Sequence, residues 1–150
     1  MSDGHRAIYV AEPPAHYRAR PPLVADSSLL CAVLFNEPER GAALLRLAGR
    51  HLLAPRLLDH EVVSVALKKQ RQGMPAEAVE QALTDYLAQD IELMVIDLDA
   101  QYAQYALARH YGLSAYDAAY LWLAAELRAP LATFDRQLAD AAQQHLGALE

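Results

Sequence analysis

Four acidic residues of this sequence have the side chains for metal-dependent chemistry: Asp26, Glu61, Asp117 and Asp135. If folding gathers them, four ionised carboxylates repel one another unless a cation lies between them. Mg²⁺ or Mn²⁺ suits such a group, because both ions prefer oxygen ligands. A metal bound there can activate water and stabilise charge on a phosphoryl group. Whether the four acids meet depends on the fold that the rest of the sequence predicts.

Asp117 lies in the stretch from Gly112 to Ala124, which is predicted to form a central, buried helix. Gly112 is suited to ending one helix and Ser114 to capping the next, which places Asp117 in the first turn. The apolar residues that follow recur at helical spacing and should face a core: Ala118, Leu121, Trp122 and Ala125. An acid in a first turn also stabilises the helix by itself, so a purely structural role for Asp117 stays open.

Two of the other acids follow apolar runs that indicate buried strands. Leu23 to Asp26 ends in an acid, and Leu131 to Phe134 is followed directly by Asp135. In parallel sheets, sites lie beyond the carboxyl ends of the strands, so we expect both acids at one rim. Asp117 can reach the same rim from its helix. Asp26 is equally suited to capping the helix that follows it.

Glu61 belongs to a long helix predicted from Arg56 to about Gln72. Its apolar stripe is formed by Leu58, Val62, Val65 and Ala66. Glu61 lies close to that stripe, where a carboxylate costs free energy unless it is paired or bound to a cation. A solvated residue at the edge of the helix is the alternative, since acids are seldom fully buried.

The remaining segments alternate between strands and helices. Further strands are predicted over 52–54 and 91–96, with helices over 29–35, 38–49, 76–89, from Asp97 or Asp99 to Tyr111, and over 136–144. An edge strand is expected over 146–150, and a short strand over 8–10. This alternation predicts an α/β fold, a three-layer sandwich with a mainly parallel central sheet and helices on both faces.

Length and composition favour one globular domain. The chain has 150 residues, of which 54% are hydrophobic and 21% charged, which is typical of a folded protein. We place the domain at residues 23–150 and a proline-containing N-terminal extension at residues 1–22. No apolar run has the length of a membrane span, and no secretory signal is evident, so we expect a cytoplasmic protein without membrane contact.

The net charge bears on nucleic-acid binding, and the single cysteine bears on the core. The net charge of −6 argues against a protein that binds nucleic acid by electrostatics alone. It allows an enzyme that binds nucleic acid through metal ions and a local basic patch. The single cysteine, Cys31, lies among apolar residues and is expected to fill the core.

Four segments, taken together, resemble one known family. They are Val24–Ser28, His60–Ser64, Leu113–Leu121 and Leu131–Leu138. In their order and separation they resemble the PIN-domain ribonucleases, and among them the VapC-type toxins of bacterial toxin–antitoxin pairs. The resemblance covers the chain from about Leu23 to the C-terminus. The proline-rich extension departs from the family pattern.

The resemblance implies roles for particular residues. Asp26, Glu61, Asp117 and Asp135 correspond to the family's metal-binding acids, and Asp135 to the most variable of them. Thr133 corresponds to a hydroxyl residue that orients carboxylates, with Ser27 in support. The implied protein is a Mg²⁺-dependent endoribonuclease, with Mn²⁺ as an alternative ion. It would cleave RNA, bind a cognate antitoxin and form a homodimer.

Surface residues suggest where partners bind. Four cations lie near the acids and can contact an RNA backbone: Lys68, Lys69, Arg71 and Arg136. Apolar residues of the early helices can form a dimer face or an antitoxin groove: Leu34, Phe35, Leu44, Leu45 and Leu47. Solvated charge and core packing are the respective alternatives.

Two other functions fit parts of the pattern. The first is an interaction protein that keeps the fold and binds a partner without catalysis, although packing does not require four separate carboxylates. The second is an aspartyl-phosphate enzyme or receiver domain, which also uses an acid after the first strand. That second class needs further acids beside this residue or a lysine after a late strand. Here two serines follow Asp26, and no lysine follows Lys69.

Overall fold

The computed structural model of this protein describes residues 20–149. Four strands and seven helices follow one another along these residues, with two helices after each of the first three strands: β1 (Pro22–Ala25), α1 (Ser27–Leu34), α2 (Arg40–Leu47), β2 (His51–Pro55), α3 (Leu57–Arg71), α4 (Ala76–Leu87), β3 (Ile91–Met94), α5 (Leu98–Tyr111), α6 (Ala115–Leu127), β4 (Leu131–Ala132) and α7 (Arg136–Gly147). The strand expected over 8–10, and most of the extension expected over 1–22, lie outside the described residues.

The four strands form one parallel sheet in the order β3-β2-β1-β4. The register pairs Leu23 with Leu52 across β1 and β2, and Val24 with Leu131 across β1 and β4. Each connection between parallel neighbours passes through helices, as parallel pairing requires. The carboxyl ends of all strands therefore meet at one rim of the sheet.

Successive strand residues face opposite sides of the sheet, and helices cover both. On one side, Val24 and Leu53 pack into the larger core, which also holds the buried residues of α3, α4, α6 and α7. On the other side, Leu23 and Ala132 pack with Leu29 of α1 and with residues of α2 in a smaller core. The predicted three-layer α/β sandwich is confirmed.

Local sequence signals fix several helix ends. Asp26, Asp97, Ser114 and Asp135 are the N-caps of α1, α5, α6 and α7, and each side chain accepts a hydrogen bond from a backbone N–H of its helix. Gly112 ends α5 with a φ of 66°, in the left-handed region where a side chain is disfavoured. The predicted break between α5 and α6 is therefore confirmed.

Cys31 is buried in the larger core, as expected. Burial, followed by the charges of nearby carboxylates, raises the pKa of its thiol to about 12. The residue is therefore a neutral packing group at physiological pH.

The C-terminal segment differs from its prediction. The edge strand expected over 146–150 is wrong for its described part, because α7 continues to Gly147 instead. Leu138, Ala142 and Leu146 recur at helical spacing and pack against the larger core. The Tyr111 hydroxyl and Nδ1 of His145 also lie 3.2 Å apart, joining the last turn of α7 to α5. Apolar burial along the helix thus prevails over pairing at the sheet edge.

Other boundaries shift by a few residues. β4 ends at Ala132 and β3 at Met94, and α2 begins at Arg40, two residues after Pro38. Within residues 20–149, no helix has the length and apolar character to cross a membrane.

Candidate active site

Asp26 is the innermost acid, 4% exposed at the carboxyl end of β1. Its Oδ1 accepts hydrogen bonds from the N–H and hydroxyl of Ser28, and a longer one of 3.4 Å from the N–H of Leu29. Its Oδ2 accepts from the hydroxyl of Thr133, which follows β4. Burial raises the pKa of Asp26, although these donors act in the opposite direction. Asp26 therefore caps α1, as predicted, and lies at the same time in the candidate site.

Glu61 extends from α3 toward the same rim and is half-buried. The hydroxyl of Tyr120 donates to Oε1 at 2.7 Å, and that of Ser27 donates to Oε2 at 3.0 Å. Burial is the main cause that raises the pKa of Glu61, and the charges of Asp26 and Asp117 raise it further. The alternative of a solvated edge residue is thus excluded.

Asp117 and Asp135 border the site from the starts of two helices. The N–H of Asp117 donates to the Ser114 hydroxyl at 3.1 Å, which caps α6. Asp135 is exposed, and its Oδ1 accepts from the N–H of Leu138 at 2.8 Å. Its own N–H donates to Oγ1 of Thr133 at 2.9 Å, so Thr133 joins Asp135 to Asp26.

The four carboxylates are close enough to influence one another. Burial raises the pKa of Asp117, and the charges of Asp135 and Asp26 add to this effect. Asp117 and Asp26 in turn raise the pKa of Glu61. Folding therefore brings acids from β1, α3, α6 and the β4–α7 turn into one electrostatically coupled group.

A cation fits this group chemically. Burial raises the free energy of ionised Asp26, Glu61 and Asp117, and neighbouring charges add to this for Glu61 and Asp117. A divalent ion relieves both effects. Within residues 20–149, however, no three Asp, Glu, His or Cys side chains are placed to hold one ion together. Mg²⁺ does not need such a cage, because it keeps several waters and binds through one or two carboxylates. The donor set therefore fits a hydrated ion, and the four-acid ligand set remains a prediction.

Comparison with known proteins identifies the family. The family model described as PIN domain matches residues 23–144. The chain belongs to the PIN domain family. Members of this family are generally nucleases that use divalent metal ions. The predicted family resemblance is confirmed. No curated protein sequence matches the chain.

Two solved structures share the fold of this PIN domain. PAE2754 from Pyrobaculum aerophilum is 20% identical, with a TM-score of 0.62 over 89% of this chain and 93% of the other. VapC20 from Mycobacterium tuberculosis, a toxin that cleaves the sarcin–ricin loop, is 16% identical, with a TM-score of 0.60 over 79% and 94%. At these identities the similarity shows the fold alone.

The structure adds two residues of the PIN domain site that the sequence pattern did not single out. Tyr120 is 1% exposed and binds Glu61, one helical turn after Asp117 on α6. Ser28 binds Asp26 and accepts the N–H of Phe134 at 3.0 Å. The three-residue spacing from Asp117 was the available signal for Tyr120, because it places both side chains on one helix face. Nothing in the sequence distinguished Ser28 from Ser27 by role.

The four cations predicted to contact RNA differ in their surroundings. Lys69 forms a salt bridge of 2.8 Å with Glu37, so its charge is already paired. Lys68, Arg71 and Arg136 are exposed. Among the apolar residues suggested for partners, Phe35 is buried, Leu34 and Leu47 are partly buried, and Leu44 and Leu45 are 41% and 84% exposed.

Proposed function

We propose that this PIN domain is a Mg²⁺-dependent endoribonuclease. The observation that carries the proposal is the coupled group of Asp26, Glu61, Asp117 and Asp135. Burial raises the carboxyl pKa values of Asp26, Glu61 and Asp117, and the charges of neighbouring carboxylates raise those of Glu61 and Asp117 further. A divalent cation, with Mn²⁺ as an alternative to Mg²⁺, makes such a group favourable in its ionised form.

Each residue then has a role of its own. Asp26 and Asp117 would hold the ion, with Glu61 and Asp135 bound to it directly or through water. Such an ion, when bound, supplies an activated water and charge stabilisation for the phosphodiester. The hydroxyl of Thr133 would keep the Asp26 carboxylate in one orientation.

Glu61 is oriented in a similar way. The Tyr120 and Ser27 hydroxyls donate to its two oxygens, which fixes the plane of the carboxylate. Each carboxylate oxygen retains a second lone pair for an ion, for its water or for a proton. Such fixed donors typically conserve the geometry that a metal site requires.

We further propose that the protein is the toxin of a toxin–antitoxin pair. The fold it shares with the VapC20 toxin supports this role. The proposal includes RNA as substrate, a cognate antitoxin, a homodimer and a cytoplasmic location. The exposed Leu44 and Leu45 of α2 are candidates for one of the protein contacts.

The test is cleavage of defined RNA with and without Mg²⁺. We expect Mg²⁺-dependent cleavage by the unmodified chain, and a loss of about 10²–10³-fold for Asp26→Asn and for Asp117→Asn. Mg²⁺ binding is measured on the same proteins by calorimetry. Retention of cleavage and ion binding in both variants contradicts the proposal. Absence of cleavage by the unmodified chain, together with tight binding of a partner protein, favours the catalytically silent alternative.

A further inference from the structure

A groove of about 660 Å³ runs along the outer edge of β4, between α2 and α7. In the described part of the chain, β4 is the last strand of the sheet and has no neighbour on that side. Leu131 and Ala132, the two residues of β4, form the floor of the groove, and Ala142 of α7 lies on one wall. The groove is thus a concave surface beside an open sheet edge.

One end of the groove opens at the acidic site. Thr133 lines the groove and donates to Oδ2 of Asp26. Phe134 also lines it and is 43% exposed, and its N–H is held by the Ser28 hydroxyl that binds Asp26. A ligand in this groove would therefore continue into the acids without crossing another surface.

The charge of the groove contrasts with that of the whole chain. The chain carries a net charge of −6, yet no Asp or Glu is among the described residues that line the groove. Its charged residues are Arg46 of α2 and Arg50 before β2. Within residues 20–149, neither guanidinium forms a salt bridge with a carboxylate. Two unpaired cations in an acidic protein favour an anionic ligand.

Arg50 lies toward the end of the groove opposite the acids. Arg50 precedes His51, which pairs with Pro22 at the amino end of β1, whereas Thr133 follows Ala132 at the carboxyl end of β4. Between the levels of Arg50 and Thr133 the strands advance by five residues, from Pro21 to Asp26, or roughly 16 Å at about 3.3 Å per residue. A ligand that spans this distance is extended and carries negative charge.

We propose that this groove holds the RNA strand on one side of the bond that is cleaved. Phe134 stacks an unpaired base next to the acids, and Arg46 and Arg50 bind phosphates further along the strand. This inference rests on the proposed nuclease function and assigns substrate-positioning residues to it. The cations and the continuity with Asp26 favour RNA over a protein strand paired to the edge of β4.

The experiment compares three variants on a short single-stranded RNA that the unmodified chain cleaves. Arg46→Ala/Arg50→Ala and Phe134→Leu alter the groove. Arg40→Ala/Arg109→Ala removes the same charge from two exposed positions that do not line it. We measure kcat and KM with Mg²⁺, and RNA affinity by fluorescence anisotropy in an Asp26→Asn background at several salt concentrations.

We expect the groove variants to raise KM while kcat stays within about twofold. The double arginine variant should reduce the slope of log affinity against log salt by about 1.4, since each phosphate contact on a single strand contributes about 0.7. Phe134→Leu should weaken binding roughly 5- to 100-fold with little change in the slope. An equal effect of the Arg40→Ala/Arg109→Ala variant overturns the proposal, because the loss then follows overall charge.

The remaining outcomes separate this inference from the proposed function. If the unmodified chain cleaves RNA and KM is unchanged in both groove variants, the groove does not bind RNA, while the proposed nuclease function stands. Absence of any cleavage removes the proposed function, while the anisotropy measurements still test binding. If RNA affinity is unchanged and Leu131→Lys converts a dimer to a monomer in light scattering, the groove joins two protein chains and the proposal is wrong.

Discussion

The inner and outer acids of the site are held by different means. Asp26 is a local helix cap, but Asp26 and Glu61 each also accept a hydrogen bond from a hydroxyl in a remote part of the chain. Thr133 lies 107 residues from Asp26, and Tyr120 lies 59 residues from Glu61. Asp117 and Asp135 instead sit in local helix caps, with partners three residues away. The inner pair thus depends on the whole fold, and the outer pair depends on the starts of two helices.

This difference suggests that the inner acids serve through their fixed orientation and Asp135 through its charge. The hydroxyl donors leave the inner carboxylates little freedom to rotate, so these are suited to fixing the position of an ion. The exposed carboxylate of Asp135 adds negative potential at the rim, where water screens it more strongly. We therefore expect substitutions of the inner pair to affect catalysis more than equivalent substitutions of Asp135.

The largest contrast is expected between Glu61→Gln and Asp135→Asn. Both changes remove one charge with little change in volume. For Glu61→Gln we expect kcat for RNA cleavage to fall about 10²–10³-fold, as when a fixed electrostatic group is lost. For the exposed Asp135 we expect less than about tenfold. A greater loss for Asp135→Asn would reverse the assignment of inner and outer roles.

Stability should depend on pH and Mg²⁺ through the inner acids. The folded-state pKa values of Asp26 and Glu61 are raised above 3.8 and 4.5, so the folded state binds protons more tightly than the unfolded state. Their stabilising contribution is present below those ordinary values and is lost as pH rises through the raised values. Without divalent ions, the free energy of unfolding should therefore decrease over that range.

Mg²⁺ should offset this loss at neutral pH. At a concentration 100 times its Kd we expect a gain of about 2.7 kcal/mol in the free energy of unfolding, and little gain at acid pH, where the carboxylates are protonated. Urea unfolding at each pH measures both effects. Asp26→Asn is the control and should show a reduced response. An equal gain at acid and neutral pH would mean that the ion binds elsewhere.

The Thr133 hydroxyl forms hydrogen bonds with Asp26 of the inner pair and Asp135 of the outer pair, so its removal tests the link between them. Thr133→Val removes the donor to Asp26 and the acceptor for the Asp135 N–H. We expect a loss of about 1–3 kcal/mol in the free energy of unfolding, because a buried carboxylate is left with one donor fewer. Thr133→Ser keeps the hydroxyl and should retain most of the stability. Equal losses in both variants would contradict the assignment of the effect to the hydroxyl.

The smallest effect is expected at the cap of α6. Ser114→Ala removes the acceptor for the Asp117 N–H and should cost about 1 kcal/mol of unfolding free energy. Ser114→Asn preserves a capping side chain and serves as the control. We expect kcat to change by less than about threefold in both, since the buried residues of α6 still hold the helix, and Asp117 with it, in place. A loss of activity comparable to that of Glu61→Gln would show that the cap also orients the ion.

Much of the fold was predictable from local patterns. Short apolar runs marked β1, β2 and β4, and Gly112 with Ser114 marked the junction of α5 and α6. These signals depend only on residues that are close in sequence, so they can be recognised from a single sequence. The segment over 146–149 was predicted wrongly, because its apolar residues fit a strand as well as a helix. Packing of α7 against the larger core decided between them.

The sequence by itself determined which acids exist, that Asp26 and Asp135 follow strands, and that Asp117 starts a buried helix. Only the tertiary structure decided that Glu61 turns inward, that Tyr120 and Ser28 belong to the site, and that a groove lined by Arg46 and Arg50 opens beside it. The physical reason is distance along the chain. Caps and turns arise from interactions over a few residues, whereas the Tyr120–Glu61 and Thr133–Asp26 hydrogen bonds form only after the sheet and its helices have packed.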